Sequence, residues 1–217
     1  YTINGSNNLD WEDMEITIDP KSGEAYLYIG DIGDNAEIRQ SYSIYKFKEP
    51  VYKEAHSAGG AVSWDPEEFS RIRTKYPDGS HDAETLFVDP FTLDIFLVTK
   101  IDVRSTIYIV PFPQNPSAEN MMYKVGEFSF RSASAGTVSL DGSKILVKNQ
   151  EEIFYWERVE GESIAEVLQR TPVKAPYIQE PLGEAICFDP LYNYYTLSEE
   201  LNNTTRPILY KYNYLTN

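Results

Sequence analysis

Carboxylates recur at matching places along this sequence. Asp10-Trp11-Glu12-Asp13, His81-Asp82-Ala83-Glu84 and Gly183-Glu184-Ala185 each open an apolar run that ends at an aspartate turn. Glu84 and Glu184 share one register relative to that turn, and Glu12 and Asp13 fall slightly earlier. Further acids close the following runs, in Gly30-Asp31-Ile32-Gly33-Asp34-Asn35 and Ser198-Glu199-Glu200. If these segments converge, their carboxylates repel unless protonated, paired with a cationic side chain or bridged by an ion. The bridging ion would be hard and oxygen-loving, which points to Ca2+. The expected metal contacts are Glu12, Asp13, Asp31, Asp34, Asp82, Glu84, Glu184 and Glu199. Ion pairs to Lys100 and Lys148 are the alternative, and Gly30–Asn35 serves equally well as a plain turn. Two histidines and one cysteine give no spacing for a soft-metal site. His81, with Glu84, is the candidate catalytic pair, because imidazole beside carboxylates titrates near neutrality. A histidine that ties its loop down by hydrogen bonds is the plainer reading of His81.

The elements that must position these groups read almost wholly as strands. Ala25–Ile29, Ile95–Thr99, Lys144–Val147 and Tyr194–Leu197 are short, rich in β-branched and aromatic residues, and bounded by turn residues. Asp19-Pro20, Asp89-Pro90, Asp141-Gly142 and Asp189-Pro190 repeat one turn at one phase. Each turn is followed by a second strand and then by an aromatic third strand: Tyr42–Lys48, Thr106–Phe112, Ile153–Arg158 and Ile208–Tyr212. Fourth strands are expected near Phe69–Lys75, Met122–Phe128 and Val167–Thr171, with weak helical periodicity around Glu162–Leu168. Four strands in roughly 45 to 50 residues is the blade of a β-propeller. The expected fold is therefore all-β, one propeller domain over 1–217 with blades at about 9–76, 81–130, 132–174 and 183–214. A β-sandwich does not repeat one turn in phase. Residues 1–3 read as an outer strand that either completes blade four or follows an absent N-terminal blade. Trp11, Trp64 and Trp156 are expected to pack between blades, Cys187 to be a buried small hydrophobe, and His56 to face solvent.

Composition narrows the partners. Nineteen Lys and Arg against 34 Asp and Glu leave a formal charge of −15, which disfavours nucleic acid and anionic membrane surfaces. Hydrophobic content of 41% is too high for a disordered chain. No apolar run reaches the length of a membrane span. One cysteine excludes an internal disulfide. Sequons at Asn4, Asn202 and Asn203 are compatible with a secreted glycoprotein, hence an extracellular location. No phosphate loop, dinucleotide fingerprint or Gly-x-Ser-x-Gly elbow is present.

The strings Asp10-Trp11-Glu12-Asp13, Gly30-Asp31-Ile32-Gly33-Asp34-Asn35, His81-Asp82-Ala83-Glu84 and Gly183-Glu184-Ala185 together resemble a broad, largely uncharacterised family of secreted β-propeller proteins. That resemblance implies a further blade before the first string. More distantly, the acidic rim is similar to calcium-dependent propeller hydrolases, namely lactonases, phosphotriesterases and phytase-like proteins. It lacks their full ordered set of Asn and Asp ligands. The expected function is a secreted, acidic, Ca2+-binding propeller acting as a scaffold for a small-molecule or protein ligand. A Ca2+-dependent hydrolase of esters, lactones or phosphoesters is one rival, and a purely structural assembly protein is another.

Overall fold

Strand signals every few residues, without a long helical stretch, leave sheets as the means of burying apolar side chains. The computed structural model describes residues 2–51, 63–100, 103–200 and 206–214. Four sheets follow one another along the chain as the blades of a β-propeller. The first strands are a short parallel pair, β1 (Thr2–Ile3) with β5 (Ser63–Trp64). Blade one orders β2 (Trp11–Ile18), β3 (Ala25–Asp31), β4 (Tyr42–Lys48) and β6 (Ser70–Lys75) outward from the centre. Blade two orders β7 (Ala83–Val88), β8 (Ile95–Thr99), β9 (Thr106–Val110) and β11 (Tyr123–Glu127). Between the last two in sequence, β10 (Glu119–Met121) leaves blade two and adds to β6 in parallel as a fifth strand of blade one. Blade three contains β12 (Ala135–Val138), β13 (Lys144–Lys148), β14 (Ile153–Glu157) and β15 (Val173–Ala175). Blade four contains β16 (Gly183–Phe188), β17 (Tyr194–Ser198) and β18 (Leu209–Tyr212).

An aspartate turn follows every inner strand, at Asp19, Asp89 and Asp189 directly after it and in blade three two residues later, where Ser139 holds the first turn position and Asp141 follows. The side chain of Asp19, Asp89, Asp141 or Asp189 accepts the backbone N–H two residues on, from Lys21, Phe91, Ser143 or Leu191. Each turn carries a residue of positive φ: Gly23, Leu93, Gly142 or Tyr192. An Asx turn needs that sharp reversal, and glycine supplies it without steric cost.

Alternation along each strand sends side chains to the blade before and the blade after. Leu86, Val88, Ile95 and Leu97 pack with Tyr28, Ile44 and Tyr76 of blade one. Phe87, Phe96 and Val98, their neighbours in sequence, pack with Val138, Ile145 and Trp156 of blade three. Ala135, Leu146 and Ile153 in turn meet Ile186 and Tyr194 of blade four. The core is thus three successive interfaces between blades, with a fourth cluster of Ile29, Tyr45 and Phe47 on blade one.

Four expectations are corrected. Thr2–Ile3 does not complete blade four, because it pairs with Ser63–Trp64 and Ile3 packs on the Ile29, Tyr45 and Phe47 cluster over blade one. The fourth strand of blade three is Val173–Ala175, since Ser163 and Glu166 form a capping box that winds α1 (Ile164–Val167) just before it. Cys187 is exposed rather than buried. Of the tryptophans, Trp156 is buried between blades two and three, whereas Trp11 leans on Tyr45 within blade one. His56, the Trp64 side chain and the sequons at Asn202 and Asn203 lie outside the described residues. Among those residues no helix is long and apolar enough to cross a membrane.

Candidate functional site at the acidic rim

The inner strand of three blades opens with a register shift. The shifts fall between Trp11 and Asp13, between Ala83 and Thr85, and between Gly183 and Ala185, so the extra residues are Glu12, Glu84 and Glu184. A bulge leaves its residue unpaired and re-aims the side chain. The fourth inner strand, β12, is regular and carries no acid. The sequence-level equivalence of Glu84 and Glu184 is therefore structural. Glu12 joins them because β2 is longer than β7.

Lys100, just past the end of β8, draws these glutamates together. Its Nζ pairs with Glu84 Oε1 and lies 3.5 Å from Glu184 Oε1. Gln150 donates to the same Glu184 oxygen at 3.3 Å. Burial pushes the Glu12 carboxyl up to about 8, reinforced by Glu84, Asp10 and Asp82 and opposed by Lys100. Burial likewise lifts Glu84 to about 7, although Lys100 counteracts it. Asp82 is raised chiefly by burial, and Glu199, exposed at the rim, is raised by its own partial desolvation and by Glu184.

The other expected contacts are spoken for, wholly or in part. Asp34 accepts from the N–H groups of Ile38 and Arg39 and from the Tyr42 hydroxyl, which locks its own loop. Its N–H donates to Asp82 Oδ1 at 2.6 Å, tying blade one to blade two. Asp31 Oδ1 accepts the Asp10 N–H and pairs with Arg39 at 3.1 Å. Asp13 accepts the N–H groups of Met14, Leu86 and Gly136, so one carboxylate joins three blades. Desolvation nevertheless outweighs those donors and pushes it up to about 8. His81 Nε2 lies 3.1 Å from both Asp78 Oδ1 and the Tyr108 hydroxyl, with its ring edge-on to Tyr76. These contacts link the 78–81 loop to Tyr108 of β9.

Three carboxylate oxygens stand out in this network. Asp31 Oδ2, Asp82 Oδ2 and Glu84 Oε2 are shut from solvent and have no hydrogen-bond partner among the described residues. Asp31, Asp82 and Glu84 are themselves at most 5% exposed. A buried acceptor without a donor is costly and calls for an ion, a water or a proton. As the side chains stand, however, no group of three or more His, Cys, Asp or Glu among the described residues is disposed to hold a metal ion. The cation seated between Glu84 and Glu184 is the Lys100 ammonium.

Sequence reasoning missed four participants. Asp10 receives the N–H groups of Ile32 and Gly33 on its carbonyl, beneath Glu12. Glu15 is buried and accepts the Val138 N–H at 3.0 Å. Arg39 clamps the Asp31–Gly33 carbonyls. Glu180 lies 3.9 Å from Lys148, whose ammonium also donates to the Gly183 carbonyl. Glu15 was visible as the acid on the same strand face as Asp13, and the others carried no periodic signal.

These blades and this rim define a β-propeller. Comparison with solved structures returns Kuenenia stuttgartiensis hydrazine synthase, at 12% identity and a TM-score of 0.47, the match covering 97% of this chain and 49% of that one. A structure described as the Dos1 propeller, at 9% identity and a TM-score of 0.43, covers 85% of this chain and 41% of its own. The chain thus spans half or less of the structures it resembles. No protein-family model and no curated protein matches it.

Proposed function

We propose that the protein is a binding module whose acidic rim takes a divalent cation, Ca2+, which then presents its open coordination positions to a small-molecule or protein ligand. The observation that carries this reading is the pair of buried, partnerless oxygens, Asp82 Oδ2 and Glu84 Oε2, beside the bulged Glu12 and Glu184. An all-oxygen donor set suits Ca2+. On this reading the ion displaces Lys100 from Glu84, draws the bulged glutamates inward and lowers their proton affinity. A site that must first release a lysine binds weakly. That fits an extracellular location, where modules with shallow calcium sites work. The hydrolytic alternative has no comparable support, since His81 is engaged by Asp78 and Tyr108.

Calorimetry on chelator-treated protein tests the proposal. Ca2+ should release heat and raise the melting temperature, and Glu84→Gln should abolish both. Lys100→Met, which removes the competing ammonium, should tighten binding about tenfold. Absence of heat with wild type and Lys100→Met alike would sink the reading.

A further inference from the structure

The acidic rim lies where the inner strands begin. At their other ends, where the aspartate turns reverse the chain, a cavity of about 680 Å³ opens between blades two and three. Residues 91–92, 141–143 and 158–163 line it, which puts the turns of both blades and the loop from β14 to α1 around one space. A volume of this order holds a small molecule. The loop is braced. Arg158 donates its N–H to the Ser143 carbonyl at 2.8 Å, and Val159 donates its N–H to Glu162 Oε2 at 3.0 Å. Glu162 in turn donates its N–H to the Val159 carbonyl and pairs with Arg170 at 3.2 Å.

Two side chains give the cavity a recognition surface. The Arg158 side chain is only 7% exposed; its Nη1 pairs with Asp89 Oδ1 of blade two at 2.9 Å, and its Nε donates to the Glu162 carbonyl at 2.7 Å. Its Nη2 has no hydrogen-bond partner among the described residues. A donor so enclosed calls for an acceptor. The guanidinium lies 5.0 Å from the centre of the Phe91 ring. Phe91 itself is 59% exposed, yet its position is fixed, since Arg158 holds one face of the ring and Gly142 crowds its edge. A Cβ on Gly142 would come within 2.8 Å of Phe91 Cε2. An aromatic ring held rigid at the wall of a polar cavity is a platform for an apolar surface.

Charge narrows the occupant. A cation would sit against the Arg158 guanidinium, and an anion would meet the carboxylates of Asp141 and the exposed Glu160. An uncharged molecule with many hydroxyls escapes both penalties, because a hydroxyl accepts from Arg158 Nη2 and donates to a carboxylate. A sugar ring adds a flat face of C–H groups, which suits the electron-rich face of an aromatic ring. We propose that this cavity binds a neutral saccharide, the C–H face of one ring against the exposed side of Phe91 and its hydroxyls between Arg158 Nη2 and Glu160. Val159, 60% exposed, extends the apolar side of the site. The inference is independent of cation binding, since no residue of the acidic rim takes part.

Proton–nitrogen correlation NMR of the whole chain, in chelator, tests it. The probes are glucose, galactose, mannose and N-acetylglucosamine, with maltose and cellobiose as longer ones. At least one should shift the amides of Gly142, Val159 and Gly161 saturably, with an affinity of the order of millimolar. Phe91→Ser and Glu160→Gln, both changes at exposed positions that should leave the spectrum of a folded protein, are expected to weaken binding about tenfold and about threefold. A disaccharide that binds more tightly than its monosaccharide marks the ligand as a stretch of glycan, and equal or weaker binding marks a single sugar; either upholds the proposal. Protonated glucosamine and glucuronate should each bind more weakly than the best neutral probe. No shift with any neutral probe at about 100 mM would overturn the proposal, as would shifts confined to residues away from the cavity. So would binding indifferent to Phe91→Ser, or a charged probe that binds most tightly.

Discussion

Lys148 shows how much the site depends on single side chains. It is fully buried, its ammonium donates to the Gly183 carbonyl, and it lies 5.0 Å over the Tyr177 ring and 3.9 Å from Glu180. Burial depresses its pKa to about 8 against the pull of Glu180 and Glu184, so near neutrality it remains charged where no water reaches. Glu180 is held besides by the Thr196 hydroxyl at 2.7 Å. Lys148→Met should therefore destabilise the protein by about 3 kcal/mol in urea denaturation, since it leaves Glu180 uncompensated. Adding Glu180→Gln should recover part of that loss, and equal stabilities for the single and double variants would argue against the pairing. The sequence exposed half of this pair. Lys148 ends an apolar second strand, as the polar Thr99-Lys100 step does in blade two, whereas Glu180 sits before Pro181 in a loop whose course no periodicity foretells. Glu15 escaped for a different reason: it shares the strand face of Asp13, but only the blade packed on that face, whose Val138 N–H it accepts, reveals its burial.

At the scale of elements, local rules were legible and long-range ones were not. Asx turns and strand alternation depend on neighbours in sequence, and they marked out the blades; the capping box at Ser163 and Glu166 is equally local, yet it went unread and a strand was expected where α1 winds. The parallel addition of β10 to β6 depends on Asn120 Nδ2 reaching the Arg73 carbonyl at 2.9 Å, a contact between distant segments. The bulges fall between these cases. Repeated acids located them, but the unpaired geometry that turns Glu12, Glu84 and Glu184 inward is a property of the ladder. Blade three, lacking a bulge, substitutes close packing. A methyl on Gly136 would meet Thr85 Cγ2 at 2.8 Å, Phe87 Cδ1 at 3.0 Å and the Leu146 carbonyl at 3.3 Å. Two of these belong to blade two and the third is backbone, so little can yield. Gly136→Ala is expected to cost about 1–3 kcal/mol and to loosen the seam between blades two and three. Hydrogen exchange should show the loss concentrated on β7 and β12, and uniform loss across all blades would contradict that localisation.

Over the whole molecule, the gathering of acids at the centre inverts the usual response to acid. Glu12, Asp13 and Glu15 are pushed up to about 8, and Glu84 to about 7, burial being the largest cause for each. In the unfolded chain these groups would titrate near 4. Between those limits the folded protein holds protons that the unfolded chain has lost, so stability must fall as pH rises through the window. The turn aspartates act in the opposite sense. Tyr192 and the serines around Asp141 hold it down at about 2, against its own desolvation, and Asp19 and Asp189 are lowered by their turn N–H donors and, for Asp189, by Asn193. Their contribution is present above pH 4 and disappears only as the pH drops through the folded values. The two sets together place the stability maximum near pH 4–5. Melting temperature should climb by several degrees as pH is lowered from about 8.5 to 5, at roughly 2–4 °C per kcal/mol for a chain of this size, and then fall. Differential scanning calorimetry at constant ionic strength reads this directly. A flat or rising profile from pH 5 to 8 would mean that the central carboxylates are ionised and satisfied in the folded state. Saturating Ca2+ at pH 8 offers a further discriminant: if the ion takes the place of the bound protons, it should restore the stability that deprotonation removes while leaving the protein at pH 5 almost unchanged.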